Sequence, residues 1–156
     1  RELIAELQEV LTLAETDMTL FYRALADLKI AADAQEELLL APLQEIWYRP
    51  EQLAGDQRER TVAWLRRYLA RVRQDGVADA DRRRRMNAVN PKYVLRNYLA
   101  QLAIDQAEAG DYALVGTLLE VLRRPYDEQP QQEEFARKRP DWARHRAGCS
   151  MLSCSS

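Results

Sequence analysis

With 156 residues, 47% of them hydrophobic, the chain has material for one domain with a single core. Its 25 acidic and 23 basic side chains leave a formal charge of −2, which excludes the broad positive field that draws proteins to nucleic acid or anionic lipid; partners must be recognised locally. The longest uncharged apolar run, residues 38–43, is far shorter than the ~20 residues of a membrane span, and no signal-peptide pattern opens the chain, so we expect a soluble, cytoplasmic protein. Only five glycines, few runs of Val, Ile or Thr and an abundance of Ala, Leu, Glu, Gln and Arg predict an all-α fold: an irregular multi-helix bundle.

Leu3, Ile4, Leu7, Val10 and Leu11 form an amphipathic stripe from the first residues, with no initiator Met and no capping residue ahead of it. We therefore expect the chain to begin inside a helix, as a piece cut from a longer protein. Thr16 or Asp17 caps a second helix to about Leu28, with Phe21, Leu25 and Leu28 facing inward. A third helix runs from about Ala34, bends or restarts at Pro42 and stops before Pro50, its end covered by Trp47 and Tyr48.

Asp56 and Glu59 have capping-box spacing and open a strongly patterned helix carrying Val62, Leu65, Leu69 and Val72, which Asp75-Gly76 closes. A short basic helix follows from Asp79 to Ala88. Asn90 then reads as a helix cap and Pro91 as the first helical residue, so that Val94, Leu95, Tyr98, Leu99, Leu102 and Ala103 recur at helical spacing until Gly110. Asp111 caps a last long helix that buries Leu114, Val115, Leu118, Leu119 and Leu122, with Arg123 and Arg124 at the negative end of its dipole. Pro125 stops it. Beyond lies an irregular strap rich in Pro, Gln, Glu and Arg, fastened by Tyr126, Phe135 and Trp142, with a mobile tail from about Ala147. The expected division is a helical region over 1–124 and a strap with its tail over 125–156. No fixed-period repeat indicates a solenoid.

Asn90-Pro91-Lys92-Tyr93-Val94-Leu95-Arg96-Asn97-Tyr98-Leu99-Ala100-Gln101 closely resembles a signature near the C-terminus of the selenoprotein O family. The likeness extends through Arg85-Met86-Asn87-Ala88-Val89, through the segment from Leu122 to Pro130, and through Pro140-Asp141-Trp142-Ala143 to Ser153-Cys154-Ser155-Ser156. Met18-Thr19-Leu20-Phe21-Tyr22-Arg23-Ala24-Leu25 matches more weakly. Nearly all of this chain is covered, but only the C-terminal part of the family's length. The resemblance implies a pseudokinase-fold enzyme that binds ATP and Mg²⁺ and transfers AMP to protein Ser, Thr or Tyr hydroxyls, with the catalytic residues upstream of Arg1. It also makes Cys154 the sulfur counterpart of a selenocysteine, which suggests a bacterial relative.

Cys154 is the sharpest chemical candidate, either as an inert tail thiol or as a redox group, since thiolates are nucleophiles, metal ligands and disulfide partners. The resemblance favours a disulfide from Cys154 to a cysteine of the catalytic domain, tethering the tail. Cys149 is a second thiol without a clear role. His145, Cys149 and Cys154 lie within ten residues, but a structural zinc site would lack its fourth ligand, and we expect no metal. His145 as a base has no visible nucleophile or orienting acid beside it, and reads as a solvated histidine.

Arg82 to Arg85 suggests either phosphate binding or a helix face paired with Asp75, Asp79 and Asp81. Trp64 with Tyr68, and Tyr93 with Tyr98, read as core aromatics rather than a base-stacking platform. Asp127-Glu128 reads as part of a turn. No glycine-rich phosphate loop, Walker lysine, kinase catalytic loop or Asp-Phe-Gly is present, so no catalytic residue and no cofactor site is expected within these residues. The expected partners are the upstream kinase-like domain of the same polypeptide and the protein substrates of the parent enzyme, with no nucleic acid or membrane. Two other functions fit the sequence: an independent helical protein-interaction module, and a free-standing thiol module that requires a reactive Cys154.

Overall fold

The computed structural model describes residues 2–31 and 35–149, and helices supply its regular structure, with an isolated antiparallel bridge between Thr16 and Trp47 and no strand among these residues. The fold is all-α. The chain divides into two compact units, Arg1–Asn90 and Pro91–Ser156.

In the first unit, α1 (Glu2–Thr12) lies along α4 (Gly55–Asp75), placing Leu3, Leu7, Val10 and Leu11 against the core and leaving Ile4 exposed. Trp64 Nε1 donates to the Leu3 carbonyl at 2.9 Å, and Arg60–Glu9 and Arg67–Glu6 ion pairs line the rim. Helix α2 (Met18–Asp27) starts where Asp17 accepts from Leu20 N at 3.0 Å. The second oxygen of buried Asp17 accepts from the Tyr48 hydroxyl at 2.9 Å, so this cap also fixes the Trp47–Tyr48 corner. Helix α3 (Glu36–Leu40) tightens at Pro42 into a 3₁₀ segment, Ala41–Ile46, as proline forces. Phe21, Leu25, Leu28, Leu39, Leu43, Ile46, Trp47, Val62, Trp64, Leu65 and Leu69 close the core.

Helix α4 begins at Gly55, one residue before the expected cap. Asp56 is therefore inside the first turn, where its carboxylate faces the positive helix end, and no capping box forms. Gly76 ends α4 at φ 64°, a conformation that costs a residue with a Cβ about 1 kcal/mol or more.

Helix α5 (Asp79–Asn87) carries Arg82, a residue only 7% exposed, whose side chain donates to the Leu25 carbonyl at 2.9 Å and to the Leu28 carbonyl. These are carbonyls at the C-terminal end of α2, which the helix cannot satisfy itself. Asp79 holds the guanidinium at 3.1 Å and accepts from Ile30 N at 3.3 Å, pinning the exit of α2. In return Arg23 of α2 donates to the Asn87 and Asn90 carbonyls, at 3.4 and 3.2 Å, where α5 ends. Each helix supplies the other's C-terminal cap.

In the second unit the expected helix start at Pro91 does not form. Asn90 closes α5, its Nδ2 donating to the Met86 carbonyl at 2.8 Å. The Lys92 and Tyr93 N–H groups both donate to the Pro125 carbonyl, at 2.7 and 3.1 Å, a partner that takes them away from any helix. Helix α6 (Asn97–Glu108) begins only after extended Arg96, which leaves Leu95 exposed. Gly110, at φ 88°, makes the turn to α7 (Ala113–Leu122), and Asp111 Oδ1 accepts from Ala113 N at 2.9 Å. Helix α7 buries Leu118 and Val121 and half-buries Leu114 and Leu122, whereas Val115 and Leu119, expected inside, are exposed.

The strap folds back through 3₁₀ segments at Pro130–Ala136 and Asp141–Ala143. Buried Gln129 caps α7, its Nε2 donating to the carbonyls of Val121 and Arg124 at 3.1 and 2.9 Å. Phe135 is a buried anchor as expected, while Tyr126 and Trp142 remain half exposed.

Replacing Arg82 by Ala should lower the stability of the first unit by roughly 3 kcal/mol, because it strands the α2 carbonyls and Asp79 together. Arg84→Ala, at an exposed pair, should cost less than about 0.5 kcal/mol. Urea unfolding followed by the fluorescence of buried Trp47 and Trp64 measures both, and equal midpoints would refute the capping role.

Candidate functional site

The residues singled out for chemistry fall into two groups. Most are structural. Trp64 and Tyr68 stack with centroids 5.5 Å apart; Trp64 faces α1 and Phe21, while the Tyr68 hydroxyl meets Met86 Sδ and Arg82 of α5. Tyr93 is fully buried with its hydroxyl donating to the Gln129 carbonyl at 3.0 Å, and burial pushes its pKa up. Of the arginine run, Arg82 caps α2, Arg83 pairs with Asp27 at 2.6 Å and Arg84 with Asp81 at 2.8 Å.

Asp127 N closes a turn onto the Arg124 carbonyl, and Glu128 joins Glu133 in gripping Lys92, each at 2.5 Å. Burial opposes the Lys92 charge, but the two carboxylates outweigh it and raise the pKa above the ordinary lysine value. This clamp ties the start of the second unit to its strap.

The second group is the C-terminal end of the strap. Cys154 lies outside the described residues. Cys149 carries a free thiol, 3% exposed, in the cluster with Tyr93, Tyr98, Phe135 and Ala143, so packing continues past Ala147, where a mobile tail was expected to start. His145 is exposed.

Three contacts with α6 hold this end. Arg146 pairs with Asp105 at 2.5 Å and lies over the Trp142 ring, 5.8 Å from its centroid, while Trp142 meets Tyr98 edge-on. Gln101 Nε2 donates to Asp105 at 2.9 Å, one helical turn along. Gly148 follows at φ 78°, a conformation that favours glycine, and a Cβ there would have to push aside the end of the Gln101 side chain. The Gln101–Asp105 spacing was visible as an i, i+4 pair; its partner Arg146 carried no local signal. In the sequence, four residues stand between Cys149 and Cys154.

Among the described residues no three His, Cys, Asp or Glu side chains converge as metal ligands, and the surface depression lined by Leu11–Glu15, Gln52 and Gln57 is open. No described helix is long and apolar enough to cross a membrane.

The Asp105 latch has a defined pH range. The Gln101 hydrogen bond, the largest cause, acts with Arg146 to hold the Asp105 pKa below the ordinary carboxylate value, against desolvation, which raises it. A pKa lower in the folded than in the unfolded state gives a contribution fully present above the unfolded value and lost as pH falls through the folded one. Amide exchange of residues 142–149 should therefore be slow at neutral pH and down through pH 5, with this contribution fading only below about pH 4. Asp105→Asn should speed it already at pH 7, and unchanged exchange in that variant would refute the latch.

Comparison with known proteins gives the latch and its thiols a context. The chain is 55% identical to the protein nucleotidyltransferase YdiU of Rhodopirellula baltica, 54% to that of Aromatoleum aromaticum and 52% to that of Tolumonas auensis, each match covering 99% of this chain. It spans only about three tenths of the length of these relatives, 30%, 28% and 29% respectively. Residues 1–123 match the family described as protein adenylyltransferase SelO, and the chain belongs to that family.

Proposed function

We propose that this chain is the helical C-terminal region of a longer protein adenylyltransferase, one that transfers AMP from ATP to Ser, Thr or Tyr hydroxyls of proteins. The reading rests above all on one observation: the match runs through the whole of this chain yet covers under a third of the relatives' length. ATP and Mg²⁺ belong to the kinase-like part of the parent polypeptide, and no step of the transfer runs through the residues described here. The role of the region is support of the catalytic lobe, with regulation through Cys154.

The regulatory step is formation of a disulfide between Cys154 and a cysteine of the catalytic part. Two thiols lose two protons and two electrons, and a disulfide-class oxidant accepts them and leaves as two thiols. The anchored strap supports this reading, because it delivers Cys154 from a fixed starting point.

Two experiments test the proposal. The 156-residue chain alone should give no labelled protein when incubated with labelled ATP, Mg²⁺ and acceptor proteins, whereas the full-length protein should; label from the short chain would overturn the division of labour. Peptide mapping of the oxidised full-length protein should recover the tail joined to a second cysteine peptide, and a tail found only as free thiol would eliminate the tether.

A further inference from the structure

Helix α7, Ala-Leu-Val-Gly-Thr-Leu-Leu-Glu-Val-Leu, is apolar almost all round, with Glu120 its only charged residue. A helix of that composition is ordinarily enclosed on every side. Here only one side is covered: Leu118 and Val121 face the core, and the adjoining side presents Tyr112 at 67%, Val115 at 45% and Leu119 at 53% exposure, with Leu122 half-buried between it and the core. These four positions are spaced three, four and three residues apart. That is the seam a second helix packs against, in contrast to a surface stripe of scattered apolar residues.

We infer that the Tyr112–Val115–Leu119–Leu122 seam is a docking surface for a helix from the remainder of the same polypeptide. The inference rests on the reading above, since it takes its occupant from the seven tenths of the relatives' length that this chain does not span. The occupant presents an apolar seam of its own, whereas Glu120 and Arg123 pair with each other at 3.2 Å off the seam. The seam thus turns α7 from an outer helix into a central one, packed on two sides.

Thiol labelling reads this directly. Val115→Cys and Leu119→Cys are prepared both in the 156-residue chain and in the protein encoded by the complete reading frame, with Glu120→Cys as an off-seam control, and maleimide incorporation at each position is followed by peptide mass mapping. In the short chain all three should label rapidly. In the long protein positions 115 and 119 should slow by at least about tenfold relative to position 120.

Equal rates at 115 and 119 in both proteins overturn the inference, as does a reading frame no longer than 156 residues. Protection already present in the short chain also overturns it; if that protection grows with protein concentration and sedimentation shows a dimer, the occupant is a second copy. AMP transfer by the same unsubstituted long protein is scored separately. Protection without transfer retains the seam and removes the adenylyltransferase reading, and transfer without protection does the reverse.

Discussion

The backbone carbonyls at the C-terminal ends of the helices are the constraint on which the rest of the structure depends. Each α-helix leaves its last carbonyls without internal partners, and burying them unpaired is costly. Here long side chains from outside each helix supply the donors: Arg82 for α2 and Arg23 for α5 from far along the chain, and Gln129 for α7 from the segment just after it. The reciprocal arginines cross-brace α2 and α5 into a pair whose ends are mutually defined, and Asp79 keeps the buried guanidinium charge compensated. Gln129 does the same for α7 without a charge, which suits a position where the Tyr93 hydroxyl must also find a carbonyl.

These caps explain why part of the structure was legible in the sequence and part was not. Asp17, Gly76, Gly110 and Asp111 act within a few residues of themselves, and their turn chemistry can be read from type and spacing alone. Asn90-Pro91 carried an equally clear local signal for a helix start, yet the N–H groups that follow are taken by a carbonyl more than thirty residues away, at Pro125. A tertiary hydrogen bond overrode a local preference. Arg82 was hidden differently, as one of four consecutive arginines, where nothing local separates the one that turns inward from those that pair at the surface.

The exposure of Val115 and Leu119 has a similar origin. Helical periodicity identifies which residues share a face, but it cannot say whether the covering element belongs to the residues in hand. The candidate site follows the same pattern. The cysteines and the family relationship were readable from the chain ends and motifs, whereas the Gln101–Asp105–Arg146 latch required knowledge of where the strap returns.

The seating of Gly148 against Gln101 bears on how a thiol six residues further on would find its target. A group joined by so few residues to a held point would meet any site within reach at a local concentration on the order of millimolar, whatever the amount of protein in the cell. Capture of such a group would respond to the electron-accepting state of the surroundings and be indifferent to dilution, and loosening its mooring would weaken the response without altering the sulfur itself.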